Sequence, residues 1–220
     1  MATVRKWSNV AVAMESALGA AKTITAISKA APGVVTATHD FANGDFVLLS
    51  VLGMYQVNNK VYRVCNISTT VSFQLEDVSG GTGIDTTLFD TFTSGTAKKI
   101  TFGTSITSAA SVNASGGDWD FIDTTTIHVA QKTQIPGTAN PLSYTMDHLW
   151  DITDTAQQAM KAASDLQAQK AFKFTFGTGG PIMVFVGYVG YVAAPTGTAQ
   201  DKIVSPSTIT AFGTPQYYSA

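Results

Sequence analysis

The chain has 220 residues, of which 45% are hydrophobic and only 13% charged, and its formal net charge is −2. That length can bury a substantial core, as one large β domain or two small ones. Such sparse, balanced charge argues against tight nucleic-acid binding, which needs clustered Lys and Arg; adjacent basic residues occur only at Arg5-Lys6 and Lys98-Lys99.

Ordinary domains are about 25% charged. Here Thr, Ser, Gly and Ala fill the deficit. A surface of these residues costs little to desolvate and suits burial against other subunits, although a stable Thr-rich β domain with a bland exterior fits equally. The single cysteine, Cys65, permits no intrachain disulfide, as expected in a reducing cytoplasm. Met1 to Trp7 lacks the basic-then-apolar layout of a signal peptide. The apolar run Ile182 to Ala194 is too short for a membrane helix and contains Gly187 and Gly190.

In chain order, Val10, Val12 and Met14 alternate with Ala11, Ala13 and Glu15, which predicts a half-buried strand. From Lys22 to about Phe102, short apolar runs alternate with turn signals. Val34–Thr36, Phe46–Leu49, Val61–Val64 and Val71–Leu75 read as strands, with turns at Asn43-Gly44-Asp45, Asn58-Asn59 and Ser79–Thr82. Next come a weak strand over Ser105–Val112, a flexible stretch over Asn113–Gly117, a Thr-rich strand over Ile122–Val129, a loop over Gln134–Pro141 and a strand over Leu142–Leu149. A helix is predicted from Asp154 to about Lys170. Asp154 is its cap, with Gln157 three residues on; its buried stripe is Ala156, Met160, Ala163 and Leu166, and Gln157, Lys161, Asp165 and Gln169 lie away from that stripe. Strands follow at Phe172–Phe176, Val184–Val192 and Lys202–Phe212, with a small-residue loop at Ala194–Gln200 and a tail from Gly213.

The first and last parts have no complete core alone. Residues 1–21 and 103–220 therefore read as one discontinuous domain, with 22–102 as a small all-β insertion at a surface loop. Six basic residues balance six acidic ones in the insertion, leaving seven against nine in the rest.

The residues assemble no catalytic or metal site, and no cofactor is expected. His39, His128 and His148 lack metal-ligand spacing with Cys65, there is no Gly-x-Ser-x-Gly elbow, and Thr178-Gly179-Gly180 lacks the Gly-Lys-Ser/Thr of a phosphate loop. His128 reads as a satisfied histidine in a sheet and Cys65 as a buried thiol. Asp118, Trp119, Asp120, Phe121, Ile122 and Asp123 form the cluster with most content. It reads as an interface anchor on a mobile arm, or as a wide turn whose aromatics join the core; a divalent-cation site is the lesser alternative, because the calcium-loop glycine is missing.

The run Asp-Trp-Asp-Phe-Ile-Asp-Thr-Thr-Thr (118–126), the single helix, the strand pair Ala171–Phe176 and Pro181–Val192, the closing Asp201–Ser205 and Ile209–Gly213, and the opening Trp7–Ala17 resemble, in that order, the tail tube proteins of lambda-like siphophages. The stretch with Pro32–Thr36, Asn43–Asp45, Gly53-Met54, Val57-Asn58, Tyr62–Val64, Phe73–Leu75 and Ser94–Thr96 resembles a small β module of phage tail proteins. That module is similar to the first catalytic-cysteine half-domain of ubiquitin-activating enzymes, with no ubiquitin chemistry implied for Cys65.

The resemblance implies a mainly β fold: a tail-tube β-sandwich or partial barrel with one flanking α-helix, plus the inserted β domain on the tube exterior. It implies a structural homo-oligomer of hexameric rings stacked into a tube, assembled in the host cytoplasm and carried in the virion tail. Tape measure, terminator and tail-tip proteins are the implied partners, DNA passes through the lumen without specific binding, and no membrane is involved. Its ring-to-ring loop corresponds to Asn113, Ser115, Gly116, Gly117, Asp118, Trp119, Asp120 and Phe121, with Pro195, Thr196 and Gly197 as a second contact. A tail terminator or other ring-forming virion protein, a carbohydrate- or surface-binding module using Phe41, Tyr55 and Tyr62, and a hydrolase are the competing readings.

Overall fold

A computed structural model describes residues 9–219. The Arg5-Lys6 pair and the start of the Trp7–Ala17 motif lie outside the described residues. The chain is mainly β, with one α-helix among the described residues.

The first sheet is formed by β1 (Val10–Met14), β9 (Thr104–Ile106), β10 (Ala109–Ser115), β13 (Ser143–Leu149), β14 (Gln169–Phe176), β15 (Ile182–Tyr191), β16 (Val204–Ala211) and β17 (Gln216–Tyr218), in the order β10-β13-β16-β15-β14-β1-β9, with β17 also on β15. Its edge strands β9 and β10 are consecutive in sequence, yet no ladder joins them. A groove of about 810 Å³ separates them, lined by β1, β9, β10, Lys173 and Thr175. The sheet therefore curls into a barrel open along one seam. The weak strand expected over Ser105–Val112 is these two strands, broken at the seam.

The second sheet is formed by β2 (Ala17–Leu18), β3 (Lys22–Ile27), β4 (Val35–Ala37), β5 (Phe46–Leu52), β6 (Val61–Ser68), β7 (Ser72–Leu75) and β8 (Ser94–Thr101). Strand β8 pairs with β3 on one side and β5 on the other, which closes six strands into a small barrel. Its interior holds Val35, Val47, Leu49, Met54, Val64, Phe73 and Leu75. Closure leaves no free edge to template another chain.

Strand β15 buries both faces over its first half, which explains why the run from Ile182 is apolar without interruption. Phe172, Phe174, Met183 and Phe185 face the core of the open barrel with Val12, Met14 and Ile209. Ala171, Val184 and Val186 face the opposite way, onto Val61 and Ile100 of the small barrel, with Tyr218 in the same cluster. Lys173 adds a cation 5.0 Å from the Phe102 ring centroid at this junction.

The helix α1 (Thr155–Asp165) packs against β15 and β9. Asp154 caps it by accepting a hydrogen bond from the Ala156 N–H at 2.8 Å. The expected extension to Lys170 is absent: the chain turns through Gln167 at φ 50 and enters β14 at Gln169. Leu166, expected in the buried stripe, is exposed beyond the last turn. Gln157, expected on the outer face, is buried: its amide donates to the Leu149 carbonyl at 2.7 Å and its oxygen accepts from the Tyr191 hydroxyl at 2.8 Å.

Three further expectations are corrected. Gln134–Ala139, expected as a loop, is a strand, β12; the residue without an N–H, Pro136, is tolerated because β12 belongs to a two-stranded sheet whose outer edge faces solvent. The expected strand over Ile122–Val129 instead starts and ends earlier, as β11 (Trp119–Asp123), so His128 is an exposed loop residue and not a satisfied sheet histidine. The tail after Gly213 contains β17, which extends the first sheet.

Candidate assembly surfaces

Strands β10 and β13 form a hairpin that continues past the sheet as the two-stranded ribbon β11–β12. Asn113 and Ser115 pair with Thr145 and Ser143 at the sheet's margin; they are strand residues rather than the expected flexible stretch. The chain then bends at Gly116 and Gly117, with φ of 81 and 85. Both lie in the left-handed region that glycine adopts without strain, and a Cβ on Gly116 would collide with the Pro141 carbonyl oxygen. Pairing resumes at once: the Gly117 N–H donates to the Asn140 carbonyl at 3.2 Å, and the Asn140 N–H to the Asp118 carbonyl at 2.8 Å.

Beyond this bend Asp118, Trp119, Asp120 and Phe121 are all exposed, as is every residue to Pro136. The aromatics do not join the core, which removes the wide-turn alternative. At the tip, hydrogen bonds from Thr125 hold the Asp123 carboxyl below its ordinary range, and Lys132 approaches it at 3.4 Å. Among the described residues no three His, Cys, Asp or Glu side chains come close enough to hold a metal ion.

Pro195, Thr196 and Gly197 lie elsewhere. Thr196 and Val204 exchange backbone hydrogen bonds of 2.7 and 2.9 Å, and Val204 pairs with Leu149. Ser143, at the base of the ribbon, pairs with Thr210 at the other end of the same ladder. The two predicted contacts are thus at opposite ends of β13, about 20 Å apart at the strand rise of ~3.3 Å per residue. Sequence reasoning missed the apolar surface at the Pro195 end. The Trp150 N–H donates to the Ile203 carbonyl at 3.1 Å and its indole N–H to the Ala193 carbonyl at 3.1 Å, and this brings together the chain segments that carry the exposed residues Leu149, Ile152, Val192 and Ile203.

One pairing resembles a nucleophile and base: the His148 ring Nε2 lies 2.7 Å from Ser207 Oγ. Both residues are sealed in the sheet, and burial pushes the His148 pKa down against weaker opposition from Asp154 and Asp147. No substrate reaches the pair, so its role is in packing. Cys65 is likewise buried, and burial, followed by Glu76, pushes its thiol up to about 11, the opposite of an activated thiolate. His39 sits against Phe41 and Phe73, accepting from the Phe41 N–H at Nδ1 and facing the Ser72 carbonyl with Nε2. Phe41 and Tyr62 are themselves buried, so the binding-module reading keeps only Tyr55 as an exposed aromatic of its three.

An open and a closed barrel sharing a buried junction, with an exposed aromatic-bearing ribbon projecting from the open one, make this a two-barrel β-protein. Residues 53–220 match the model of the phage tail tube protein family, and the chain belongs to that family. Its role is structural, its place is the virion tail, and the matched region contains the ribbon, the helix and all of the first sheet except β1. No curated protein matches the chain. No described helix is long and apolar enough to cross a membrane.

Proposed function

We propose that the chain forms hexameric rings that stack into a tail tube, with the ribbon as the ring-to-ring contact and Pro195, Thr196 and Gly197 beside a second contact. The observation that carries this reading is the ribbon itself. A two-stranded hairpin with exposed Trp119, Phe121 and Ile122 has no core of its own, and isolated hairpins are marginal in water. Such an element is stable and useful only when other chains cover it. The small barrel, residues 22–102 in this proposal, is an inserted unit on the tube exterior, of the kind similar to the half-domain of ubiquitin-activating enzymes. The lumen passes DNA without gripping it, in keeping with a balance of seven basic to nine acidic residues outside that unit. Tape measure, tail-tip and terminator proteins are the proposed partners at the tube's interior and ends.

Negative-stain electron microscopy of the concentrated protein tests this. Hollow tubes or stacked six-fold rings are expected, with an outer fringe contributed by the small barrel. Monomers at every concentration, with and without tail-tip proteins, would overturn it.

A further inference from the structure

Two attachments hold the small barrel to the open one, at opposite margins of their junction. On one margin the chain itself crosses twice, side by side. Ala17 pairs with Thr101 and Leu18 with Ile100, and the Ser16 hydroxyl donates to the Thr101 carbonyl and accepts from the Gly103 N–H, both at 3.1 Å. This margin leads out of β1. On the other margin the join is non-covalent and is made by β17 and Ser219. Tyr218 is buried in the junction, and its hydroxyl accepts from the Arg63 N–H at 2.9 Å. The Ser219 N–H donates to the Val78 carbonyl and the Ser219 hydroxyl to the Ser79 carbonyl, both at 3.1 Å. Strands β14 and β15 lie between β1 and β17, which sets the margins three inter-strand spacings apart, about 14 Å.

The partners of Ser219 sit on a turn that the small barrel shapes from within. Gly80 and Gly81 have φ of 82 and 74, the left-handed region that glycine adopts without strain, and a Cβ on Gly80 would meet Ser219 Oγ at 2.7 Å. Glu76 fixes this turn: its Oε1 accepts from the Gly81 N–H at 2.7 Å and from Arg63 Nη2 at 2.8 Å. The same Nη2 lies 3.4 Å from the Ser219 carbonyl oxygen. Between the margins the contact is apolar, with Phe46, Leu48, Val61 and Ile100 packed in one cluster with Ala171, Val184 and Val186. Apolar burial is non-directional, whereas the hydrogen bonds of Tyr218 and Ser219 set one angle between the barrels.

We infer that β17 and Ser219 form a clasp opposite a hinge at Ser16–Leu18 and Ile100-Thr101, a conformational device in which releasing the clasp lets the small barrel swing as a folded body and uncovers the face of Ala171, Val184 and Val186. The small barrel can move as a unit because its strands close around a core of their own. The device belongs to a single subunit, so it stands apart from the stacked-ring reading and its test needs no assembled tube.

The full-length protein carrying Cys65→Ala and pairs of spin labels tests this by pulsed dipolar spectroscopy. Leu88→Cys on the small barrel with Ile152→Cys on the open one reports the angle between them, and Leu88→Cys with Val71→Cys reports the small barrel alone; all three positions are exposed. Each pair is expected to give one narrow distance while the clasp is closed. Ser219→Pro removes the N–H and the hydroxyl, and Gly80→Ala pushes a methyl group into the catch from the other side. Each substitution is expected to broaden the inter-barrel distribution about twofold, as hinge motion does, and to leave the distance within the small barrel narrow. An inter-barrel distance that stays as narrow in both variants as before would overturn the clasp. Broadening of both label pairs would mark local unfolding in place of a swing and would overturn the hinge. Where Ser219→Pro does not fold, Gly80→Ala decides alone.

Discussion

The backbone N–H of Arg63 donates to the Tyr218 hydroxyl at 2.9 Å, while the Arg63 guanidinium sits 4.9 Å from the Tyr218 ring centroid. Arg63 belongs to the small barrel and Tyr218 to the last strand of the open one, so this contact joins the two bodies across 155 positions of chain. The same guanidinium is paired with the Glu76 carboxylate, which also accepts from the Gly81 N–H at 2.7 Å. Tyr218→Ala should cost about 3–5 kcal/mol, the usual range for emptying a buried aromatic site. Tyr218→Phe, which strips only the partner of the Arg63 N–H, should cost about 1–3 kcal/mol. Denaturant unfolding gives both values, and a Tyr218→Phe variant as stable as the wild type would show that the hydroxyl contributes nothing.

Acid should weaken the fold in two separate windows. His148 has a pKa depressed by burial, so the unfolded state takes up a proton more readily than the folded one. Stability is therefore full above the unfolded value of about 6.5 and falls as pH drops below it, by at most ~1.4 kcal/mol per pH unit. Burial alone would raise the Glu76 carboxyl, but Arg63 and the Gly81 N–H hold it below its ordinary value. Its contribution is present above the usual carboxylate pKa and is lost only at lower pH. Denaturation midpoints followed from pH 8 down to about pH 2, well below the ordinary carboxylate value, should show both declines, and His148→Gln should remove the upper one alone.

Gly116→Val should redirect the ribbon without unfolding the body. The substitution meets both a left-handed φ and the Pro141 carbonyl, a local cost of order 1–3 kcal/mol. The thermal midpoint should move by only a few degrees, since the bend lies outside the cores. Limited proteolysis between Thr124 and Thr133 should accelerate, and tube formation should fail.

Gln157→Leu should destabilise by about 2–5 kcal/mol, because the Leu149 carbonyl and the Tyr191 hydroxyl both lose a buried partner. Gln158→Leu, one position along on the exposed face, should change stability by less than about 0.5 kcal/mol. Calorimetry on the pair of variants separates a structural glutamine from a generic helix residue.

Alternation and turn chemistry made much of the β framework legible. Val10–Met14 and Phe172–Phe176 alternate because each has one face in the core of the open barrel, and Asn43-Gly44 turns where Gly44 has φ 89. Local pattern failed wherever a distant partner decided the outcome. Gln157 looked solvent-facing because helical spacing knows nothing of Tyr191, which lies 34 positions away. Pro136 looked like a loop residue because propensity assumes a flanked strand, whereas a ribbon has free edges. Trp119 and Phe121 stood out from their setting among glycines and acids, but whether they joined the core or stayed exposed was a matter of tertiary placement. The apolar end built from Leu149, Ile152, Val192 and Ile203 comes from three separate segments, and no window of sequence contains it.

The small barrel leaves and rejoins the chain through neighbouring rungs: the Ser16 N–H donates to the Thr101 carbonyl at 2.9 Å, and Ala17 pairs with Thr101. Entry and exit thus stand about 5 Å apart, one inter-strand spacing. A foreign domain whose own termini are adjacent could be grafted between them with almost no closure entropy to overcome. The graft must still shield Val184 and Val186, which the present barrel keeps dry. With that face covered, every copy of the subunit becomes an attachment point for cargo, at a density set by the repeat of the assembly.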